Sequence, residues 1–241
     1  MITLEDLQGH WRRDWLALPG HFDPTTQVHW LQSGAFYADI RIPKNRPPLE
    51  EARCLADLPA QALAGLMTAE GFAGTISVAN GFCTWDRHIN WHGQPDVADT
   101  GDMSFENGAL IEKGVHAEYS ERWLPELGGT HHAEHFTVGQ RWGIVVTVGQ
   151  RFLFAIGEEG APSSRTLRDA LGSGDIAGGV EAHFDSTYAL GRWTGTVGKA
   201  ELCTNPFAEG HAILTRKAPG ELVWHSVDFH GTQRDIRLST D

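Results

Sequence analysis

The stretch CTWDRHINW, residues 83–91, sets the fold class of the chain. Its alternate residues are apolar or aromatic and the residues between them are mostly polar, which is the pattern of a half-buried β-strand. Arg87 is the exception, because it lies on the apolar face that also carries Trp85 and Trp91. A guanidinium stays ionised at any relevant pH, and burying it without a partner is strongly unfavourable, so this face requires a carboxylate.

A carboxylate in an equivalent position occurs in VHAEYSERW, residues 115–123. Read as one strand, the odd residues form an apolar, aromatic face with a single charge, Glu121. We therefore predict that Arg87 and Glu121 approach each other inside a β-barrel. The aromatic side chains predicted to line the same interior are Trp85, Trp91, Tyr119 and Trp123.

A third element, QVHWLQSGAFYADIRIP, residues 27–43, reads as one long strand ending at Pro43. A bulge at Ser33-Gly34 would switch the faces of the residues that precede it, including Trp30. Alternation leaves open whether the polar face of the second half points to the lumen or to solvent. The further candidate ligand contacts from this element are Trp30, Tyr37, Asp39 and Arg41.

A period of two dominates the rest of the chain. Asn107-Gly108 in SFENGALIE predicts a tight hairpin, and WGIVVTVGQRFLFAIG, residues 142–157, predicts two apolar strands around Gly149-Gln150. Later strands are predicted at 180–189, 192–203, 211–216, 221–229 and 233–238. A helix is predicted for RTLRDALG, capped by Ser164, and another after Asp57. About seven strands lie on each side of a polar break near 126–136, so we predict an all-β chain of two units, residues 1–128 and 129–241, each a sandwich or a barrel.

Composition narrows the function classes. The chain has 241 residues and a formal charge of -12, which disfavours nucleic acid and anionic membrane surfaces as partners. No apolar run approaches the length that spans a bilayer, and no signal peptide is recognisable. Three scattered cysteines without CxxC spacing predict reduced thiols and a cytoplasmic protein.

Two local motifs suggest chemistry that their context does not favour. HHAEH, residues 131–135, contains metal-ligating side chains, but it follows two glycines and leads into a strand, so the helical spacing of HExxH is not expected. We therefore expect no metal at residues 131–135. HFDST, residues 183–187, contains the residue types of a catalytic triad, but neighbours along a strand point to opposite faces. The chain also has no phosphate-binding glycine loop, so we expect no nucleotide cofactor.

Several segments carry a family resemblance: LQGHWRR, VHWLQSGAFYADIRIP, CTWDRHINW, GALIEKGVHAEYSERW and VVTVGQRFLFAIG. Over about residues 5–160 the chain resembles uncharacterised bacterial lipocalin-like proteins. It is more distantly similar to a fungal family built of two lipocalin-like barrels. The resemblance implies two lipocalin-like, calycin-type antiparallel β-barrels, or one continuous double barrel, in a cytoplasmic protein, and it implies no established catalytic activity.

Two functional hypotheses follow. In the first, the barrel binds a small aromatic or carboxylate-bearing molecule, and if it is an enzyme it is a cofactor-free lyase, isomerase or hydratase, acting as a monomer or homodimer. Arg87 is then the anion anchor, while Glu121 and Tyr119 serve as acid or base, and tryptophan faces stack on the ligand. In the second, the chain is a protein-interaction or scaffolding module whose buried ion pair is structural.

Overall fold

The computed structural model describes residues 2–176 and 178–240. The first nine strands form one antiparallel sheet in the order β2-β1-β3-β4-β5-β6-β7-β8-β9, and pairing of β1 with β9 closes it into a barrel. These strands are β1 Gly9–Leu18, β2 His21–Asp23, β3 Gln27–Ser33, β4 Phe36–Ile42, β5 Glu70–Ala79, β6 Phe82–Asn90, β7 Asp99–Glu106, β8 Ala109–Gly114 and β9 Ser120–Leu127.

The remaining eight strands form a second antiparallel sheet that follows chain order from β10 to β17. It is nearly closed, since a bridge between Phe136 and Thr240 links the two end strands. These strands are β10 His131–Val138, β11 Arg141–Val148, β12 Arg151–Glu158, β13 Thr187–Thr194, β14 Val197–Cys203, β15 Ala212–Ala218, β16 Glu221–Val227 and β17 Gln233–Ser239. The predicted all-β architecture of two barrel-shaped sheets is therefore confirmed.

The hairpins follow from turn chemistry. Asn107 and Gly108 both adopt positive φ, at 51° and 79°, so the predicted hairpin between β7 and β8 is confirmed. The predicted long strand over 27–43 is wrong, because Gly34, at φ 58°, starts a two-residue turn that separates β3 from β4. The predicted strand over 115–123 is also wrong in its first half, since the chain loops after Gly114 and β9 begins only at Ser120.

Three hydrophobic clusters organise the molecule. One fills the first barrel, around Trp30 and Trp123, and one fills the second barrel, around Phe154 and Trp224. The largest lies between the barrels, where the outer faces of β3–β6 meet those of β11–β13. Several strands are consequently apolar on both faces, which removes the simple alternation expected of a half-buried strand.

A bulge redirects the end of β6. Gly74 pairs with Arg87 and Ala73 pairs with Ile89, so His88 is left over as the extra residue. The bulge reverses the faces that follow, and Trp91 points out of the first barrel into the inter-barrel cluster. The predicted position of Trp91 in the lumen is therefore wrong, because alternation was counted through the bulge.

Three short helices in the described residues connect the strands: α1 Ala60–Leu66, α2 Arg165–Gly172 and α3 Val180–Phe184. The bounds predicted for α2 are confirmed. The strand predicted over 180–189 begins only at Thr187, since the residues from Val180 to Phe184 are helical. The α1 helix begins after Pro59 rather than at Asp57, whose carboxylate instead accepts from the backbone N–H of Arg53.

Candidate functional site

The lumen of the first barrel holds a network of charged side chains. Arg13 Nη1 donates to Glu121 Oε1 at 2.7 Å and Arg13 Nη2 donates to Asp23 Oδ2 at 3.0 Å. Arg41 Nη1 reaches the same Glu121 oxygen at 3.2 Å, while Arg41 Nε donates to Asp39 Oδ1 at 2.9 Å. Asp39 and Arg41 therefore face inward, which settles the orientation that alternation left open. Burial raises the pKa of Asp39 to about 6, against the lowering effect of Arg41.

Arg87 also enters this network, but with a different partner from the one predicted. Its Nη2 donates to Asp99 Oδ2 at 2.5 Å, and its guanidinium carbon lies 3.6 Å from the centre of the Phe72 ring. The prediction that Arg87 pairs with Glu121 is wrong, because Glu121 is held by Arg13 and Arg41. Arg41 lies 5.0 Å from the centre of the same ring, so Phe72 contacts both guanidinium groups.

Glu112 is a further lumen carboxyl, besides Asp23 and Asp99, that sequence reasoning missed. Tyr119 donates its hydroxyl to Glu112 Oε1 at 2.7 Å, and Trp123 Nε1 donates to Oε2 at 3.1 Å. Burial raises the pKa of Glu112 to about 8, and the negative charges of Glu121 and Asp99 add to the effect. Glu112 is therefore mostly protonated at neutral pH. Glu112 lies two residues after the buried Leu110 on β8, so alternation along this strand could have indicated that Glu112 points inward.

The centre of the lumen is tightly filled. The enclosed cavity there measures about 10 Å³, roughly the space of one water molecule. Its walls include three predicted ligand contacts, Trp30, Trp85 and Trp123, with both Trp85 and Trp123 packed edge-on against Trp30. Tyr37 is fully buried in the same core. Of the predicted aromatic lining, Trp85 and Trp123 are present in the lumen and Trp91 is not, and the lumen tryptophans pack mainly on one another.

A larger cavity lies at one mouth of this barrel, where β5 begins and β6 ends, beneath the start of α2. We call it the mouth cleft; its volume is about 320 Å³, within the range of small-molecule sites. Its lining residues are Glu70, Arg87, Asn90, His92, Gly93, Gln94, Pro95, Asp96, Ser163, Ser164, Arg165 and Arg168. Arg87 thus links the cleft to the lumen network, because its guanidinium also pairs with Asp99.

The cleft is lined by three arginines, of which Arg87 is already paired with Asp99. Arg87, Arg165 and Arg168 line it, against Glu70 and Asp96. Among the residues that the structure describes, neither Arg165 nor Arg168 has a carboxylate within 4.0 Å. By contrast, the depression of about 570 Å³ against residues 47–62 contains acidic side chains and no arginine or lysine. Of these two cavities, the mouth cleft is the better suited to an anion.

One hydroxyl in the cleft is paired with a histidine. Ser164 precedes α2, but its side chain does not cap the helix as predicted. Instead its Oγ lies 2.8 Å from His92 Nδ1, while His92 Nε2 lies 2.9 Å from the carbonyl oxygen of Ala69. Burial lowers the pKa of His92. The two residues are 72 positions apart in sequence, so no local motif could have revealed the pair.

The histidines at 131–135 lie on β10. His131 contacts Ser33 Oγ at 3.1 Å, and Glu134 is held by both terminal nitrogens of Arg216, at 2.8 and 2.6 Å. Within residues 2–176 and 178–240, no three histidine, cysteine or acidic side chains come together in a geometry that could hold a metal ion. In the same residues, no helix is long and apolar enough to cross a membrane.

Comparisons with known proteins give a distant structural neighbour. No family model and no curated protein matches the chain. Among solved structures, an uncharacterized protein of Saccharomyces cerevisiae, YLR301w, is similar over 96% of this chain and 85% of that chain, with 10% sequence identity and a TM-score of 0.45.

Proposed function

We propose that this protein binds a small carboxylate-bearing molecule in the mouth cleft of the first barrel, with Arg87, Arg165 and Arg168 as the anion contacts. The observation that carries the proposal is the pair Arg165 and Arg168, two arginines without a carboxylate partner among the described residues, lining a cavity of about 320 Å³. A guanidinium presents paired N–H donors that match a carboxylate, so two of them in one cleft favour an anionic ligand.

The site lies above the lumen rather than inside it. A cavity of about 10 Å³ leaves no room for an organic ligand among Trp30, Trp85 and Trp123. Arg87 can serve as the floor of the cleft, since its side chain is 17% exposed while it pairs with Asp99. The aromatic face of a ligand would then rest near the barrel rim, and its carboxylate would lie toward α2. We retain the prediction that the protein is lipocalin-like and cytoplasmic.

Catalysis by the lumen residues is possible only if substrate can enter the lumen. Glu121 is 2% exposed and is held by two arginines, and Tyr119 is bound to Glu112. For Arg87, Glu121 and Tyr119 to act together as a cofactor-free lyase or isomerase, the network would have to open far enough to admit substrate. The alternative of a scaffolding or interaction module with a structural network is favoured by the filled lumen.

The test is ligand-induced stabilisation, because a ligand that binds only the folded state raises the melting temperature. Benzoate, phenylacetate and succinate serve as probes, and benzamide serves as the neutral counterpart of benzoate. We expect carboxylates to raise the melting temperature of the wild type and benzamide to have little effect. The double variant Arg165→Gln/Arg168→Gln should weaken binding at least about tenfold, since each charged hydrogen bond contributes about 1.5–3 kcal/mol.

Arg237→Gln is the matched control, because Arg237 is exposed, lies on β17 and is not part of the mouth cleft. It should respond to the carboxylates as the wild type does. If none of the three acids, at about 10 mM, raises the melting temperature of the wild type, any binding is weaker than a Kd of about 1 mM and the proposal is refuted. An equal shift in the double arginine variant would do the same, and either result would favour the scaffolding alternative.

A further inference from the structure

The hydrogen bonds around His92 fix which ring nitrogen carries the proton. The carbonyl oxygen of Ala69 can only accept, so His92 Nε2 must be the N–H that donates to it, at 2.9 Å. In the neutral ring Nδ1 then has a free lone pair, and the hydroxyl of Ser164, 2.8 Å away, donates to it. Burial lowers the pKa of His92, which keeps the ring in this neutral form at physiological pH.

This arrangement has the parts of an activated hydroxyl. A base holds the proton of a serine, and a third group orients the base through its other nitrogen. Ser164 also lies immediately before α2, whose first-turn N–H groups are not capped by its side chain, although the first of them, Arg165 N–H, donates to Ser163 Oγ at 3.4 Å. Uncapped N–H groups at a helix N-terminus are donors of the kind that stabilise a developing oxyanion. Both Ser164 and His92 line the mouth cleft, so a ligand there can reach them.

We propose that Ser164 is a nucleophile and His92 its general base, and that the mouth cleft hydrolyses esters of small carboxylate-bearing molecules. The inference rests on the proposed function, since the arginines of that site would orient the substrate's free carboxylate. Ser164 Oγ attacks the ester carbonyl carbon while its proton passes to His92 Nδ1. The carbon–oxygen bond to the leaving alcohol breaks, and that alcohol takes the proton from His92.

The resulting acyl-serine is released by water. His92 accepts a proton from the water molecule as its oxygen attacks the acyl carbon, and the proton then returns to Ser164 Oγ. The net reaction converts one ester and one water into one acid and one alcohol, so no other reactant is required. The substrate's remote carboxylate stays bound to Arg165 or Arg168 throughout.

The experiment combines covalent labelling with two matched esters. The wild-type protein is treated with a fluorophosphonate, and the modified residue is located by peptide mass spectrometry. Hydrolysis of mono-p-nitrophenyl succinate, which has a free carboxylate, is compared with that of p-nitrophenyl acetate, which has none. We expect one label per chain, on Ser164, and a higher kcat/KM for the succinate ester.

The variants separate the two parts of the inference. Ser164→Ala and His92→Gln should lower the hydrolysis of both esters by about 100-fold or more. Ser104→Ala, at an exposed serine on β7 outside the cleft, should leave it unchanged. Arg168→Gln should reduce kcat/KM for the succinate ester alone. A wild-type protein that carries no label on Ser164, or hydrolysis undiminished in Ser164→Ala, overturns the nucleophile. Carboxylate binding is decided separately by the melting-temperature experiment, so the two failures can be told apart.

Discussion

Glu112 makes the stability of the first barrel depend on pH in an unusual direction. An unfolded glutamate titrates near pH 4.3, whereas burial raises the pKa of Glu112 to about 8 in the folded protein. Between these values the folded state holds a proton that the unfolded state lacks, so stability falls as pH rises. The slope is about 1.4 kcal/mol per pH unit, which sums to at most about 5 kcal/mol over the whole window.

The perturbation that tests this is Glu112→Gln, which is permanently neutral and nearly the same size. Its amide oxygen can accept the N–H of Trp123, and its amide nitrogen can donate to the hydroxyl of Tyr119, so both contacts of the carboxyl have replacements. We expect the variant and the wild type to be similar in stability at about pH 5. At about pH 9 the variant should be more stable by about 3–5 kcal/mol.

The assay is urea unfolding monitored by tryptophan fluorescence at a series of pH values. The quantity of interest is the difference between the free energies of unfolding of variant and wild type, because the other titrating groups cancel in it. Glu106→Gln is the control, since Glu106 is exposed and lies on the same hairpin. If the Glu112→Gln and wild-type curves run parallel from about pH 5 to about pH 9, the carboxyl is ionised in the folded state and the reasoning fails.

Two further predictions concern the backbone at Gly74 and the stability of the fold at acidic pH. A Cβ on Gly74 would lie 2.0 Å from the carbonyl oxygen of Asp86, so Gly74→Ala should cost about 2–4 kcal/mol in urea unfolding, whereas Gly172→Ala, with no atom within 4 Å, should cost nothing. Burial lowers the pKa of His10 to about 3 and that of His29 to about 4 in the folded protein. In the unfolded chain both side chains take up a proton near pH 6.5. The free energy of unfolding therefore decreases as pH falls below about 6.5. His10→Gln should therefore become more stable relative to wild type between about pH 6 and about pH 4; a constant difference over that range would contradict the interpretation.

The sequence was informative where a local rule acts alone. Asn107-Gly108 fixed a hairpin because positive φ at two successive residues is tolerated by few other pairs. Arg87 in an apolar strand predicted a charged lumen, since an isolated buried guanidinium is too costly. Its partner could not be read from alternation, because Asp99 follows the irregular segment between β6 and β7.

The rest depended on packing between distant parts of the chain. Trp91 was misplaced because the bulge at His88 is set by its partner strand, where Gly74 allows a close backbone approach. The strands of the inter-barrel cluster are apolar on both faces, so alternation could not show which face is internal. Ser164 carried a clear local signal as a helix cap, and a tertiary contact with His92 redirected its hydroxyl.

The closure of the first barrel by β1 and β9 has a consequence during synthesis on the ribosome. The strand pairing that closes it needs no residue beyond Leu127, so the first barrel can close while β11–β13 have not yet emerged from the ribosome. In that interval the flank bearing Ile40, Ala73, Ile89 and Trp91 has no covering. Until the second barrel forms and buries this exposed apolar surface, we expect it to bind chaperones and to associate with neighbouring nascent chains on the same polysome.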